Sequence, residues 1–178
     1  MRELDTDRLS YGRRSFMGLG TAVLLGGAGL AGCSSPPKPV TTPVSLQLVG
    51  AADMNPDARG RASPLAVRVY ALKTSAPFDA ADFFALFEKD QATLGAELVH
   101  KEEALLRPGA SHPLKFVLPA DAKALAFLAA YRDLERARWR EVRALQPGQP
   151  VNWQVNFGAR QIRIDAPAAP AAPARAGG

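Results

Sequence analysis

Residues 151–157 read Val151-Asn152-Trp153-Gln154-Val155-Asn156-Phe157, and this stretch decides the fold class. Apolar and amide side chains alternate with a period of two, the period at which successive side chains point to opposite faces of a strand. One face is buried and the other wet, which places Trp153 in the core and Asn152 and Gln154 outside. Ile162 and Ile164, set between Gln161, Arg163 and Asp165, repeat the pattern after a short break. Toward the N-terminus, Val44, Leu46 and Leu48 form a first strand, and Val67 and Val69 lie in a second that runs through Leu72. Leu98–Leu106, Leu114–Leu118, Leu125–Tyr131 and Trp139–Leu145 are weaker strand candidates. Leu125–Tyr131 carries no polar residue before its tyrosine, so it reads as a central strand covered on both faces, although a short helix would show the same run.

One segment departs from this pattern. After Pro77, Asp79 can cap a helix whose Phe83, Phe84, Leu86 and Phe87 face inward as a packing stripe. Pro108-Gly109, Pro119 to Asp121 and Pro147-Gly148 supply turns between the strands. Short strands at this spacing predict a mainly β fold: a two-sheet antiparallel β-sandwich with a short inserted helix.

The folded body spans 44–165, and its flanks are of another kind. Residues 1–32 read as a lipoprotein signal peptide. Arg13 and Arg14 abut an uncharged, glycine-rich run from Phe16 to Leu30, shorter than the roughly 20 apolar residues of a stable span. The run ends in Leu30-Ala31-Gly32-Cys33, a lipobox in which small residues admit a signal peptidase and the Cys33 thiol takes a diacylglycerol group. Gly12-Arg13-Arg14-Ser15-Phe16-Met17 is equally compatible with a twin-arginine signal and with a plain basic start. Residues 33–43, with Pro36, Pro37, Pro39 and Pro43, form a lipidated Pro-rich tether. At ~3.1 Å per residue in a polyproline conformation, it holds the body ~30 Å from its lipid. Residues 166–178 are almost pure alanine, proline and glycine, a disordered tail by composition.

Composition excludes several classes. Of 178 residues, 47% are hydrophobic and 22% charged, so the chain as a whole is not disordered. A single cysteine excludes an internal disulfide framework, and two histidines leave little material for acid–base chemistry. Removing the charged residues of the signal peptide leaves 18 basic against 14 acidic side chains, a modest +4. Arg136, Arg138, Arg140 and Arg143 are interleaved with Glu135 and Glu141 and read as a solvated face. No aromatic platform for nucleic acid lies beside them.

His100, Glu102, Glu103 and His112 are the only grouping that resembles a metal site. On a strand, His100 and Glu102 share a face and Glu103 points away, while His112 falls in a turn before Pro113, so no ligand set assembles. No nucleophile elbow, phosphate loop or framed carboxylate pair is present. The expectation is a protein that is not an enzyme, without metal, cofactor, nucleic acid or small-molecule substrate.

The most informative connection is the long loop after the first strand. Asp53, Met54, Asn55, Pro56, Asp57, Arg59, Gly60, Arg61 and Ser63 are its candidate partner-binding residues, since long ordered loops on a rigid scaffold commonly carry function. Pro56 and Pro64 restrict its backbone, and Asp57, Arg59 and Arg61 offer charges. Asn55, Asp57 and Arg61 could instead fold the loop back on itself, and for Asn55 that is the favoured reading. Asn55-Pro56-Asp57, Gly60-Arg61 and Ser63-Pro64-Leu65, running into Val67 to Lys73, resemble the type VI secretion lipoprotein family, TssJ (also called SciN or VasD). The phenylalanine-rich helix, the phrase Ala129-Ala130-Tyr131-Arg132-Asp133 followed by Trp139-Arg140, and the closing isoleucine strand are similar too. Alanine at 62, where proline is common, and the Pro-Ala tail depart from the family pattern. The resemblance implies a transthyretin-like sandwich. It also implies an outer-membrane lipoprotein facing the periplasm, which anchors the periplasmic domain of the inner-membrane protein TssM and meets outer-membrane lipid through Cys33. An unrelated lipid-tethered periplasmic binding module of sandwich fold is the alternative.

Overall fold

Every second residue of the first strand is buried, from Thr42 through Val44, Leu46 and Leu48 to Gly50, and that alternation fixes which face the strand turns to its partner sheet. The computed structural model describes residues 38–165. In chain order these form β1 (Thr41–Gly50), β2 (Leu65–Leu72), α1 (Ala76–Ala80), α2 (Phe83–Leu94), a single 3-10 turn (Gly95–Glu97), β3 (Leu98–Leu106), β4 (Ser111–Pro119), β5 (Ala124–Ala129), β6 (Arg140–Ala144), β7 (Val151–Phe157) and β8 (Ile162–Asp165). Two four-stranded sheets result, ordered β4-β1-β7-β8 and β3-β2-β5-β6. Their inner faces share one core, to which Leu46, Leu48, Val67, Leu125, Phe127, Val155 and Phe157 contribute. The mainly β, two-sheet sandwich read from the sequence is the observed architecture.

β5 is buried at all six positions. Leu125 and Phe127 face the sandwich core, while Ala126 and Leu128 lie under the helices in a second cluster with Tyr70, Phe78, Phe83 and Leu86. The helices thus cover the outer face of one sheet.

Several sequence expectations need correction. The sandwich is not wholly antiparallel, because β1 and β7 run parallel, with Val44 opposite Val151 and Gly50 opposite Phe157. β1 begins at Thr41 rather than Val44, so Pro43 lies inside the strand opposite Val117 and the tether is shorter. His112 is not in a turn but in β4, opposite Leu48. Two helices replace one. α2 is capped by Asp82, whose carboxylate accepts from the Ala85 N–H at 2.8 Å, whereas Asp79 sits inside α1 and accepts from the Ser75 hydroxyl. Phe84 turns outward and is 60% exposed, off the stripe by which Phe83, Leu86 and Phe87 pack on the second cluster. Trp153 packs on the core only partly, one residue beyond Gln154, where the described pairing of β7 with β8 stops. The signal peptide, Cys33, the first residues of the tether and the C-terminal tail lie outside the described residues.

Candidate functional site: the loop end of the sandwich

β1 delivers the chain to one end of the sandwich, where four connections meet. Ala51 N–H donates to the Phe157 carbonyl, and Gly50 N–H to that of Ala110, each at 2.9 Å. Close approach is needed there: a Cβ on Gly50 would come within 2.8 Å of the Arg107 carbonyl. The loop 51–64 therefore packs beside 107–110, 130–139 and 158–161.

Within the long loop, burial divides the candidate residues. Met54 is fully buried in the main core, and Asn55 and Ser63 are 3% and 7% exposed. Asn55 takes a positive φ of 50°, a conformation asparagine tolerates better than most residues. Its amide nitrogen donates to the Pro64 carbonyl and its oxygen accepts from Arg132 N–H, both at 2.8 Å. Asn55 thus closes the base of the loop and fastens it to the β5–β6 connection, as favoured from sequence. Met54 is the loop's plug in the core, a role the sequence reading missed.

Above this base, Asp57 organises the tip. One carboxylate oxygen accepts from the N–H groups of Arg59 (2.8 Å) and Arg61 (3.0 Å), and the other from Arg61 Nε at 2.8 Å, with Arg61 Nη2 at 2.7 Å. The Arg61 backbone N–H, followed by its guanidinium, holds the Asp57 carboxyl below the usual aspartate range. Arg61 is therefore spent partly on the loop's own order. Asp53, Arg59, Gly60 and Arg61 are exposed, while Pro56 and Asp57 are half-buried.

Opposite the tip stands a set of residues that sequence reasoning did not single out for binding. A cleft of about 470 Å³ separates Pro56, Asp57 and Ala58 from Arg132, Asp133, Arg136 and Arg160. Asp133 pairs with Arg160 at 3.1 Å and Arg136 at 3.8 Å. Beneath them the Tyr131 hydroxyl donates to the Gln161 carbonyl at 2.8 Å, and burial pushes its pKa well up. The signal was present in the phrase Tyr131-Arg132-Asp133, but its proximity to the long loop depends on the fold. The arginine run also proves heterogeneous rather than one solvated face. Arg136 belongs to this cleft, whereas Arg140 Nη1 turns inward to the carbonyls of Phe78 (3.2 Å) and Ala81 (2.9 Å), pinning α1.

Elsewhere, His100 Nε2 lies 2.8 Å from Glu102 Oε1, so the two share a face as expected, while Glu103 pairs with Arg68 at 2.9 Å on the other. Among the described residues no helix is long and apolar enough to cross a membrane.

Comparison with known proteins places this architecture. The family model for the type VI secretion lipoprotein (VasD, EvfM, TssJ) matches residues 42–163. Among curated proteins nothing matches the chain. Among solved structures, the T6SS lipoprotein TssJ1 from Pseudomonas aeruginosa is 40% identical with a TM-score of 0.68, covering 74% of this chain and 99% of its own. Lip from Serratia marcescens, a membrane-bound component of the type VI secretion system, shares 24% identity at a TM-score of 0.64, over 69% of this chain and 96% of its own. A chain of a type VI membrane complex shares 25% identity at a TM-score of 0.61, over 69% of this chain and 97% of its own. With the family model covering β1 to β8 and a close structural counterpart, the chain belongs to the type VI secretion lipoprotein family.

Proposed function

We propose that this lipoprotein is held in the inner leaflet of the outer membrane by lipid on Cys33 and grips the periplasmic domain of TssM with its loop end. Its role is to hold a partner rather than to turn over a substrate. The observation that carries the reading is the two-ended build of the sandwich: β1 starts at the tether and finishes, on the opposite side, in the ordered loop 51–64. Family membership and the likeness to a chain of a type VI membrane complex support it.

Arg59, Arg132 and Arg136 line or flank a cleft whose geometry suits forked pairing with carboxylates of a partner. The docking set is thus Asp53, Pro56, Asp57, Arg59, Gly60 and Arg61 together with Arg132 and Arg136, while Met54, Asn55 and Ser63 support it from below. Deleting the loop from Met54 onward would remove the core plug, so point changes at exposed positions give the cleaner test. In calorimetry with the periplasmic region of TssM, Arg59→Glu combined with Arg132→Glu is expected to weaken binding at least ~tenfold, about 1.4 kcal/mol, with unchanged circular dichroism. Wild-type affinity in that double variant would move the docking surface elsewhere. A small ligand retained in place of TssM would favour the alternative of an unrelated binding module.

A further inference from the structure

The end of the sandwich opposite the loops carries its own pattern. Val40 and Val117, two of the four large hydrophobic side chains most exposed among the described residues, both lie there, at 55% and 63% exposure. Val117 stands opposite Pro43 in the β1–β4 ladder, and exposed Pro119 stands opposite Thr41. Pro43, Val117 and Pro150, with Lys115, line a shallow cleft of about 450 Å³ on the face of the sheet that no other described element covers. The 146–150 turn is fastened to this spot, with Gly148 N–H donating to Thr42 Oγ1 at 2.9 Å. Lys38, Lys115 and Lys123 are exposed around it, and Lys73 pairs with Asp121 at 3.6 Å. The loop end, by contrast, is furnished with arginines.

We propose that this tether end is a second membrane contact, seated on a phospholipid surface with anionic headgroups. The inference rests on the lipid anchor at Cys33. Because β1 already begins at Thr41, seven residues separate it from Cys33, a reach of at most about 30 Å even when fully extended. β1 itself, ten residues long, carries the loop end a further ~33 Å away. Only the tether end is therefore held permanently within a short distance of the bilayer. Its side chains fit that position. Valine and proline bury in the headgroup boundary without leaving a polar group unpaired, and lysines reach over them to lipid phosphates with their stems packed on apolar surface. The contact orients the domain, so that the Arg59–Arg132 cleft faces away from the membrane.

The chain's single cysteine is consumed by lipid, so a second one can be labelled alone. The lipidated Val117→Cys and Arg59→Cys variants, each carrying an environment-sensitive fluorophore, are reconstituted into phosphatidylethanolamine–phosphatidylglycerol vesicles with and without a lipid-borne quencher. Flotation reports the anchor independently. The Val117 label is expected to shift to the blue and be quenched by the lipid quencher, while the Arg59 label stays water-like and is quenched by soluble iodide. Vesicles that float with both labels equally open to iodide overturn the proposal and leave the anchor standing. Failure to float overturns the anchor, and the oriented contact falls with it.

Discussion

Asp57 spends both carboxylate oxygens on its own loop, which couples the order of the loop tip to its protonation. Its native pKa is lowered from 3.8, first by the Arg61 N–H and then by the Arg61 side chain. A depressed carboxyl stabilises the structure fully above its unfolded value and loses that contribution as pH falls through the lower native value. Acidification below the ordinary aspartate range is therefore expected to free residues 57–61 while the sandwich persists. An NMR titration checks this: the Asp57 carboxyl should titrate below 3.8, and Arg61→Ala should bring it back toward that value. A midpoint unmoved by Arg61→Ala would show that the backbone N–H groups of Arg59 and Arg61, and not the guanidinium, hold the carboxyl down. At this scale the sequence was only half legible. The spacing from Asp57 to Arg61 makes a self-closing loop foreseeable. The anchoring of Asn55 to Arg132, 77 residues on, was not, because no local rule reports which distant backbone N–H will arrive.

Helix α2 shows how an element can be read correctly in kind and wrongly in detail. Lys89 leaves helical geometry at φ −135°, ψ 36°, and the break frees carbonyls in the preceding turn. Arg68 Nη1 from β2 donates to Phe87 at 2.6 Å and Leu86 at 3.3 Å, and the Thr93 hydroxyl donates to Ala85 at 2.9 Å. The guanidinium also lies 4.6 Å over the Phe87 ring. Arg68→Met keeps the stem but takes the donor from the Phe87 carbonyl, while Leu86 keeps the Tyr70 hydroxyl at 3.3 Å, and is expected to cost about 1–3 kcal/mol in urea unfolding. A loss below ~0.5 kcal/mol, the usual range for plain surface changes, would mean water replaces the arginine freely. In β7 the alternation was legible, yet depth along the strand was not. Phe157 is fully buried, while Trp153, one residue past the last described β7–β8 pair, is half-buried. Phe157→Ala should therefore cost about 3–5 kcal/mol and Trp153→Ala less, with Asn152→Ala and Gln154→Ala least. Equal losses at Phe157 and Trp153 would show that the two side chains carry the core equally. The cap was misassigned for a physical reason: Asp79 and Asp82 are both capable of the role, and only the break between α1 and α2 at Ala81 decides in favour of Asp82.

Across the whole molecule, the β-class was legible because the sheet of β1 and β7 has a dry and a wet side, which period two records, while β5, dry on both faces, shows as an unbroken apolar run. Which strands lie together was not, since β1 and β7 present the same alternation whether parallel or antiparallel, and their neighbours are chosen by packing more than 100 residues apart. At this scale the decisive variant is Cys33→Ser. The protein is expected to fold with unchanged circular dichroism and to leave the membrane fraction almost completely, since several acyl chains hold firmly where none can. Sedimentation with outer membranes at high salt would contradict lipid attachment. The placement of β1 has a mechanical consequence as well. If the chain is held as proposed, a pull between its lipid and the loop end enters this one strand at Thr41 and leaves it at Gly50. β1 is an inner strand, paired with β4 from Thr41 to Val49 and with β7 from Val44 to Gly50. A strand is already near full extension, so tension entering and leaving by its two ends is borne by the covalent backbone of β1 and does not slide it past β4 or β7. The two ladders then hold the rest of the domain onto the loaded strand rather than carrying the load themselves.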